Sequence, residues 1–290
     1  MSHPSANNAV PAVVITGAST GIGAACALEL DRLGWRVFAG VRSPKDGRRL
    51  AAEASPRLTP LSIDVTDPEL VAEAARAVAG AVGPAGLAGL VNNAGIVVAG
   101  PLEFLPLEEL RRQLEVNVVG QVAVTQATLP LLRAARGRVV LIGSANGRVA
   151  PPYMGAYAAS KHALEAIADS LRVELGPWGI SVSIVQPGSV KTPIWDKSQA
   201  EAERLIRALT PEGQALYGED IARMRRAADR LAAHGMPVSR VVRAVVHALT
   251  ARRPRTRYPI GPQARLAAPL LRLLPDRLRD WLIRRALGLR

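Results

Sequence analysis

Short apolar runs alternate with longer amphipathic stretches along most of the chain. The short runs have the length and the flanking glycines of strands, and the longer stretches carry apolar residues at steps of three and four, as helices do. The predicted strands cover residues 13–16, 36–41, 58–63, 87–91, 138–142, 181–185 and 256–260. The predicted helices cover residues 24–33, a segment from 68 onward, 106–129, 157–175 and 238–249.

This alternation predicts an α/β fold. Successive βαβ units with strands that are apolar on both faces give a parallel sheet, and right-handed crossovers place helices on both of its faces. We therefore expect a single doubly wound, Rossmann-type domain over residues 1–260. Within it, residues 189–236 are predicted to form a lid over the carboxyl edge of the sheet, where ligands bind in such folds. Residues 261–290 are predicted to form a C-terminal helical extension.

A glycine-rich loop follows the first predicted strand and opens the first helix. Its sequence is Thr-Gly-Ala-Ser-Thr-Gly-Ile-Gly over residues 16–23. Glycines permit a tight turn and let a pyrophosphate approach the free N–H groups of the helix N-terminus. An ordinary glycine turn is the alternative, but the strand–loop–helix context favours dinucleotide binding. The expected cofactor contacts here are Gly17, Ser19, Thr20, Gly21, Ile22 and Gly23.

The end of the second strand indicates which dinucleotide binds. An acidic residue there would bind the adenosine ribose and favour NAD, but the chain has no carboxylate between Ala39 and Asp46. Arg42 can pair with a 2′-phosphate, which favours NADP, with a solvated arginine and NAD as the alternative. Asp64, next to Val65, either accepts a hydrogen bond from the adenine amino group or merely ends the third strand.

Tyr157 and Lys161 are four residues apart on a predicted helix and therefore share one face. A phenol with a pKa of about 10 carries protons poorly at neutral pH, but an adjacent ammonium and a positively charged nicotinamide would lower that pKa. The pair thus predicts general acid–base chemistry. Ser144 follows the fifth strand and can hold a substrate oxygen beside the phenol. Taken alone, a Tyr-x-x-x-Lys pair is common by chance.

The combined motifs resemble the short-chain dehydrogenase/reductase family. In the family's order, the chain carries the glycine motif at 16–23, Asn-Asn-Ala-Gly at 92–95, Asn117, Ser144, Tyr157-x-x-x-Lys161 and Pro187-Gly188. The resemblance spans about residues 11–260. Residues 186–195 and Val41-Arg42 resemble the branch that contains hydroxysteroid and retinol dehydrogenases. Some NADP-dependent members have a basic residue before the second glycine, where this chain has Thr20, so Arg42 carries most of the NADP prediction.

The resemblance implies a role for each matching residue. Tyr157 is the expected acid–base; Lys161 lowers its pKa and holds the nicotinamide ribose; Ser144 polarises the carbonyl. Asn117 positions a water in a proton relay that ends at Lys161. The implied reaction is hydride transfer between NADP(H) and a carbonyl or alcohol carbon, in a homo-oligomer (a dimer or tetramer). Further cofactor contacts are expected from Asn92, which also stabilises its strand, and from Asn93, Ala94, Gly95, Pro187, Gly188, Val190 and Thr192.

The predicted lid is rich in apolar side chains. An apolar lid excludes water from hydride transfer and suits a lipophilic ketone, aldehyde or alcohol, including steroid-like or retinoid-like molecules. Alternatively, the same side chains simply pack the lid onto the domain. They are Ile194, Trp195, Leu205, Ile206, Leu209, Leu216, Tyr217 and Met224.

Cysteine, histidine and terminal patterns narrow the class of protein. The single cysteine excludes an intramolecular disulfide and a cysteine-based zinc site, and the four histidines lack the spacing of metal ligands, so we expect no metal. Residues 1–11 lack the pattern of a secretory signal, and no segment is apolar enough to span a membrane. These features predict a cytoplasmic protein.

Positive charge is concentrated at the C-terminus. The chain has a net charge of +13, and residues 252–290 carry eleven arginines against two aspartates. Residues 261–290 form a basic amphipathic pattern that can lie peripherally on an anionic membrane, or dock as a helix on the body or on a partner subunit. One aromatic residue, Trp281, and no known nucleic-acid module argue against nucleic-acid binding. A non-catalytic NADP sensor is the other alternative, against which the complete Ser–Tyr–Lys set argues.

Overall fold

The computed structural model describes residues 10–289, so most of the N-terminal segment analysed above, and Arg290, lie outside the described residues. Seven strands form one parallel sheet in the order β3-β2-β1-β4-β5-β6-β7. This confirms the predicted doubly wound fold. The strands are β1 (Ala12–Ile15), β2 (Arg36–Val41), β3 (Leu58–Ser62), β4 (Gly89–Asn92), β5 (Arg138–Ile142), β6 (Ser181–Pro187) and β7 (Arg257–Ile260).

The helices cover both faces of the sheet and continue beyond it. They are α1 (Gly21–Arg32), α2 (Pro44–Ala52), α3 (Pro68–Val82), α4 (Leu107–Leu114), α5 (Gly120–Ala135), α6 (Gly155–Leu175), α7 (Ile194–Arg207), α8 (Pro211–Ala233), α9 (Ser239–Thr250), α10 (Ala268–Leu273) and α11 (Asp276–Leu287).

The core divides into two clusters because successive side chains of a strand point to opposite faces. Val13 and Ile15 of β1 belong to one cluster, together with residues of α1 and α9. Ala12 and Val14 belong to the other, together with residues of α3, α5 and α6. Each strand of the sheet centre is therefore buried on both sides, and only its carboxyl end is free to contribute to a site.

Two helical predictions were wrong in detail. The predicted helix over 106–129 is α4 and α5 joined by a π-helical segment, Glu115–Val119, and it continues through Pro130 to residue 135. The sequence analysis also missed α2, a helix of only nine residues that begins at Pro44, contains Gly47 and has Leu50 as its one buried apolar side chain. By contrast, Asp67 caps α3 as its sequence indicates, accepting hydrogen bonds from the N–H groups of Glu69 and Leu70 at 2.9 and 3.1 Å.

The segment between β6 and α9 is helical, as α7 and α8. Leu205 of α7 is buried in a small cluster with Val98 and Ala156, so part of the apolar content of this segment packs it onto the domain. The terminal helix α11 packs against α8, where Arg223 donates a hydrogen bond to the carbonyl oxygen of Gly288 at 2.5 Å. Among the described residues, no helix has both the length and the apolarity to cross a membrane.

Candidate active site

The glycine-rich loop lies at the carboxyl end of β1, and its glycines are required by close backbone contacts. Gly17 has φ +63°, and a Cβ there would lie 2.8 Å from the Cα of Ala94. A Cβ on Gly23 would lie 2.4 Å from the carbonyl oxygen of Gly17. Gly21, with φ +60°, adopts a left-handed conformation at the start of α1. The loop is thus pressed against the end of β4 and presents the N-terminus of α1 to the cleft.

Thr16 and Asn93 hold the ends of β1 and β4 together. The Thr16 hydroxyl accepts hydrogen bonds from the N–H groups of Asn93 and Ala94 at 2.9 and 3.0 Å. In return, the Asn93 amide donates to the carbonyl oxygens of Thr16 and Gly17, both at 3.0 Å. These bonds fix the floor of the cleft without using the N–H groups at the start of α1.

A cleft opens along the carboxyl edge from β3 to β4. Its lining includes most of the predicted cofactor contacts, namely Gly17, Ser19, Thr20, Gly21, Ile22, Arg42, Asp64, Val65, Asn93, Ala94, Gly95 and Thr192. It also includes six residues that were not predicted as cofactor contacts: Gly40, Val41, Ile63, Ile96, Val116 and Ile194. Ile194 was predicted as an apolar side chain of the lid and Val41 was named in the family resemblance, whereas the other four had no sequence signal beyond their closeness to predicted residues.

Arg42 and Asp64 lie together at the adenosine end implied by the strand order. Their closest charged atoms, Nη1 and Oδ2, are 4.0 Å apart, and the Arg42 side chain is 75% exposed. Asp64 accepts hydrogen bonds from the N–H and the hydroxyl of Thr66 at 3.0 and 2.8 Å. Burial works against ionisation of Asp64, but these bonds and the Arg42 charge outweigh it, so its pKa is lowered. Asp64 therefore stays ionised beside the guanidinium.

Tyr157, Lys161 and Ser144 meet at the carboxyl end of β5. Tyr157 and Lys161 are on adjacent turns of α6, and the Lys161 Nζ is 5.7 Å from the centre of the Tyr157 ring. The Lys161 side chain is buried, and its Nζ donates to the carbonyl oxygen of Ile142 at 2.8 Å. The Ser144 hydroxyl accepts from the N–H of Asn146 at 3.1 Å and is close enough to the Tyr157 phenol to lower its pKa by hydrogen bonding. These three groups are not part of the cleft lining itself.

The electrostatics of this trio differ from the sequence-based expectation. Burial raises the pKa of Tyr157, and the hydrogen bond from Ser144 lowers it by less. Lys161 is not among the groups that shift the Tyr157 pKa here, where its ammonium donates to the Ile142 carbonyl, so the expected lowering stays a prediction. Burial also lowers the pKa of Lys161 from 10.5 to about 8. Near neutral pH, the phenol is protonated and the lysine is close to its titration range.

Asn117 lies in the π-helical segment and is fully buried. Its side-chain oxygen accepts from the N–H of Ile96 at 2.9 Å, and its side-chain nitrogen donates to the Ile96 carbonyl at 3.1 Å and to the Ser160 hydroxyl at 3.1 Å. The Asn117 amide group is therefore occupied by protein partners. A water relay through this residue would have to use its backbone.

Two other amides repeat this arrangement at steps of four. Gln113 accepts from the N–H of Val98 at 2.7 Å and donates to the Ile96 carbonyl at 3.0 Å, and Gln121 donates to the Ala94 carbonyl at 3.1 Å. The three amides hold the chain that borders the cleft. The sequence signal that we missed is a run of amides at positions 113, 117 and 121 on one side of a helix.

The segment after β6 is only partly placed at the cleft. Thr192 lines it, whereas Val190 is buried and its carbonyl oxygen accepts from the indole of Trp195 at 2.8 Å. The N–H of Gly188 donates to the carbonyl oxygen of Ile260 at 2.9 Å, and its Cα faces Gln263. Pro187 ends β6. The structure does not bring Pro187, Gly188 or Val190 to the cleft lining.

The residues present fit a dinucleotide. The glycine cradle would be filled by any Cβ, the N-terminus of α1 offers N–H groups, and Arg42 supplies a cation near the ribose end. By contrast, no group of three His, Cys, Asp or Glu side chains within residues 10–289 could hold a metal ion.

The fold and site define a class: a doubly wound, nicotinamide-dependent oxidoreductase. The family model for short chain dehydrogenases matches residues 11–203. The chain belongs to this family, whose members transfer a hydride between a nicotinamide cofactor and a carbonyl or alcohol carbon. The comparisons give no support to the non-catalytic alternative.

Individual relatives agree with the family assignment. The chain is 41% identical to mouse "Retinol dehydrogenase 5", over 94% of this chain and 89% of the relative. It is 37% identical to "NADPH-dependent 3-dehydrocapnine reductase" of Ornithobacterium rhinotracheale, over 92% and 94%. A solved short chain dehydrogenase from Burkholderia cenocepacia J2315, in complex with NADP, superimposes with a TM-score of 0.71 at 28% identity, over 94% of this chain and 97% of that one. The predicted resemblance to the retinol dehydrogenase branch is confirmed.

Proposed function

We propose that this oxidoreductase uses NADP(H) to interconvert a lipophilic carbonyl compound and its alcohol, with Tyr157 as the acid–base. The observation that carries this proposal is the trio at the end of β5. The Ser144 hydroxyl is close enough to the Tyr157 phenol to lower its pKa by hydrogen bonding, and the buried Lys161 ammonium lies 5.7 Å from the phenol ring. A phenol placed between a hydroxyl and a cation is suited to exchange a proton with a substrate oxygen.

Each residue of the trio has a separate task. The nicotinamide, when bound, supplies or accepts the hydride. During reduction, the Ser144 hydroxyl donates to the carbonyl oxygen and polarises it, while Tyr157 delivers a proton to the same oxygen. Because burial raises the Tyr157 pKa, the phenol holds this proton near neutral pH. Lys161, with a pKa of about 8, stabilises the resulting phenolate and can return the proton.

Arg42 supports the preference for NADP. Its guanidinium is exposed at the cleft, with Asp64 as its only charged neighbour within 4.0 Å among the described residues, and it can bind a 2′-phosphate in bidentate fashion. One relative that is named as NADPH-dependent and one solved structure in complex with NADP support this preference.

Replacing Arg42 tests the cofactor preference. Because an ion pair between the exposed Arg42 and the 2′-phosphate would be partly screened by solvent, we expect Arg42→Ala to raise KM for NADPH by about tenfold. KM for NADH, which lacks this phosphate, should stay within about twofold. Arg76→Ala, at an exposed position on α3, is the matched control. Equal changes for both cofactors would refute the role of Arg42.

An apolar substrate is supported by apolar side chains in the cleft lining. Ile96, Val116 and Ile194 line the cleft, and Ile194 is 39% exposed at the start of α7. The names of the relatives refer to retinol and to 3-dehydrocapnine, which also favours a lipophilic molecule.

A substrate screen tests the proposed activity. Ketones, aldehydes and alcohols of the steroid and retinoid type, long-chain carbonyl compounds and small polar carbonyl compounds would be followed by the absorbance of NADPH and NADH in parallel. We expect the highest kcat/KM for a lipophilic compound with NADPH. A consistent preference for the small polar compounds would refute the proposed substrate class.

The remaining proposals concern organisation. We propose that residues up to 260 form the catalytic domain, that residues 189–236 act as its lid, and that the enzyme is a cytoplasmic homo-oligomer. We further propose that residues 261–290 contact membranes peripherally, supported by exposed Leu266, Leu270 and Leu273 in this extension. Size-exclusion chromatography with light scattering would test the oligomer, and a monomer would refute it.

A further inference from the structure

A groove between α9 and β7 is lined by arginines that lack carboxylate partners. Arg240 and Arg243 project from α9, Arg255 precedes β7, and Arg265 follows it. Within the described residues, the guanidinium groups of Arg240, Arg243 and Arg255 take part in no ion pair or hydrogen bond, although the backbone of Arg255 bonds to the hydroxyls of Ser183 and Tyr258. The Arg265 guanidinium donates to the carbonyl oxygen of Pro259 at 3.0 Å, which holds it at the groove.

No carboxylate is among the residues that line the groove. Arg257 of β7, which is not part of this lining, binds Glu165 and Asp169. The groove, in contrast, lies within a segment from 231 to 275 that contains eight arginines and no aspartate or glutamate. Mutually repelling guanidinium groups at one concave surface cost stability unless an anion lies among them.

The groove continues into an apolar surface. Leu266 lines the groove and is 70% exposed, and Leu270 and Leu273 follow at steps of four and three on the same helical run with exposures of 62% and 82%. Leucines at this spacing project from the same side of a helix. An anion that matches this surface therefore carries an apolar portion beside its charge.

We propose that this surface binds the phosphate headgroup of an anionic phospholipid in a bilayer, with the three leucines inserted among the acyl chains. This inference rests on the proposed membrane contact of residues 261–290 and adds the headgroup site. Cations near an anionic membrane and apolar side chains at its interface stabilise binding together. A second copy of the chain fits less well, because a symmetric interface would bring these arginines against one another.

Flotation of the full-length protein with vesicles tests the site. One vesicle type contains phosphatidylcholine alone, and in the other about one third of the lipid is phosphatidylglycerol. We expect the wild type to prefer the anionic vesicles, and Arg240→Gln with Arg243→Gln to bind them about thirtyfold more weakly. The control Arg76→Gln with Arg226→Gln removes the same charge from exposed positions on α3 and α8 and should bind like the wild type.

The outcomes separate this proposal from the others. If the wild type binds both vesicle types equally, or if the control loses as much binding as the groove variant, the headgroup site is refuted while peripheral contact stands. If Leu266→Ser with Leu270→Ser does not weaken vesicle binding, the inserted leucines are refuted. Absence of flotation with either vesicle type overturns both the contact and the site.

Stabilisation of the wild type by glycerol phosphate without vesicle binding would identify a soluble anion and overturn the bilayer proposal. NADPH turnover is measured separately, so its loss does not affect these results.

Discussion

Replacing Asn117 by alanine should destabilise the protein through one backbone segment. The variant removes the acceptor of the Ile96 N–H and one of two donors to the Ile96 carbonyl, which keeps its bond from Gln113 at 3.0 Å. An orphaned buried N–H costs about 2 kcal/mol, and the two other lost bonds add about 1 kcal/mol. We therefore expect the free energy of unfolding to fall by about 3 kcal/mol.

Chemical denaturation is the assay, with circular dichroism as the readout and the slope m compared between variants. Glu115→Ala is the matched control, because this residue is exposed in the same π-helical segment and should change stability by less than about 0.5 kcal/mol. Since Ile96 lines the cleft, dinucleotide affinity should fall in Asn117→Ala as well. A loss of stability no larger than that of Glu115→Ala would refute the role assigned to these hydrogen bonds.

Two further predictions concern the cleft and the trio. Gly17→Ala should lose dinucleotide binding, measured by titration calorimetry, because its φ of +63° and the Ala94 Cα at 2.8 Å exclude a Cβ; binding within about twofold of the wild type would contradict this. The pKa of Lys161 is about 8 in the folded state and 10.5 in the unfolded state. Between these pH values the native state binds fewer protons than the unfolded state, so the stability of the protein should rise with pH. From pH 8 to 10 the wild type should gain about 2 kcal/mol of stability relative to Lys161→Met, as followed by urea denaturation, because the contributions of Cys26 and the tyrosines are common to both proteins; parallel curves would show that burial does not shift this lysine.

The parallel sheet was predictable because its signals are local and repeated. Apolar runs such as 138–142 appear as strands wherever both faces are buried, and Asp67 with Pro68 indicates the start of α3. Missing α2 and the π-helical segment has the opposite cause. Gly47 is buried against Pro60, a tertiary contact that leaves no periodic signal, and one extra residue per turn at Glu115–Val119 is invisible in a helical pattern.

The glycine loop and the Tyr–Lys pair were predictable because glycine indicates the backbone conformation of the loop and a spacing of four places two residues on one side of a helix. The surroundings of these groups could not be predicted from the sequence. The direction of the Lys161 ammonium toward the Ile142 carbonyl, and the burial that raises the Tyr157 pKa, depend on how α6 packs on β5. Similarly, Gly188 faces Gln263 of the segment after β7, a partner 75 positions away in sequence.

Substituting Tyr157 by phenylalanine tests the central claim most directly, since only the phenol oxygen is removed. The ring keeps its packing, so the dissociation constant of the dinucleotide should stay within about twofold. General acid–base catalysis contributes about 10²–10⁴-fold to rate, and kcat for the best substrate should fall by about a thousandfold. A kcat within about tenfold of the wild type, with cofactor binding intact, would contradict the assignment of Tyr157 as the proton donor and acceptor.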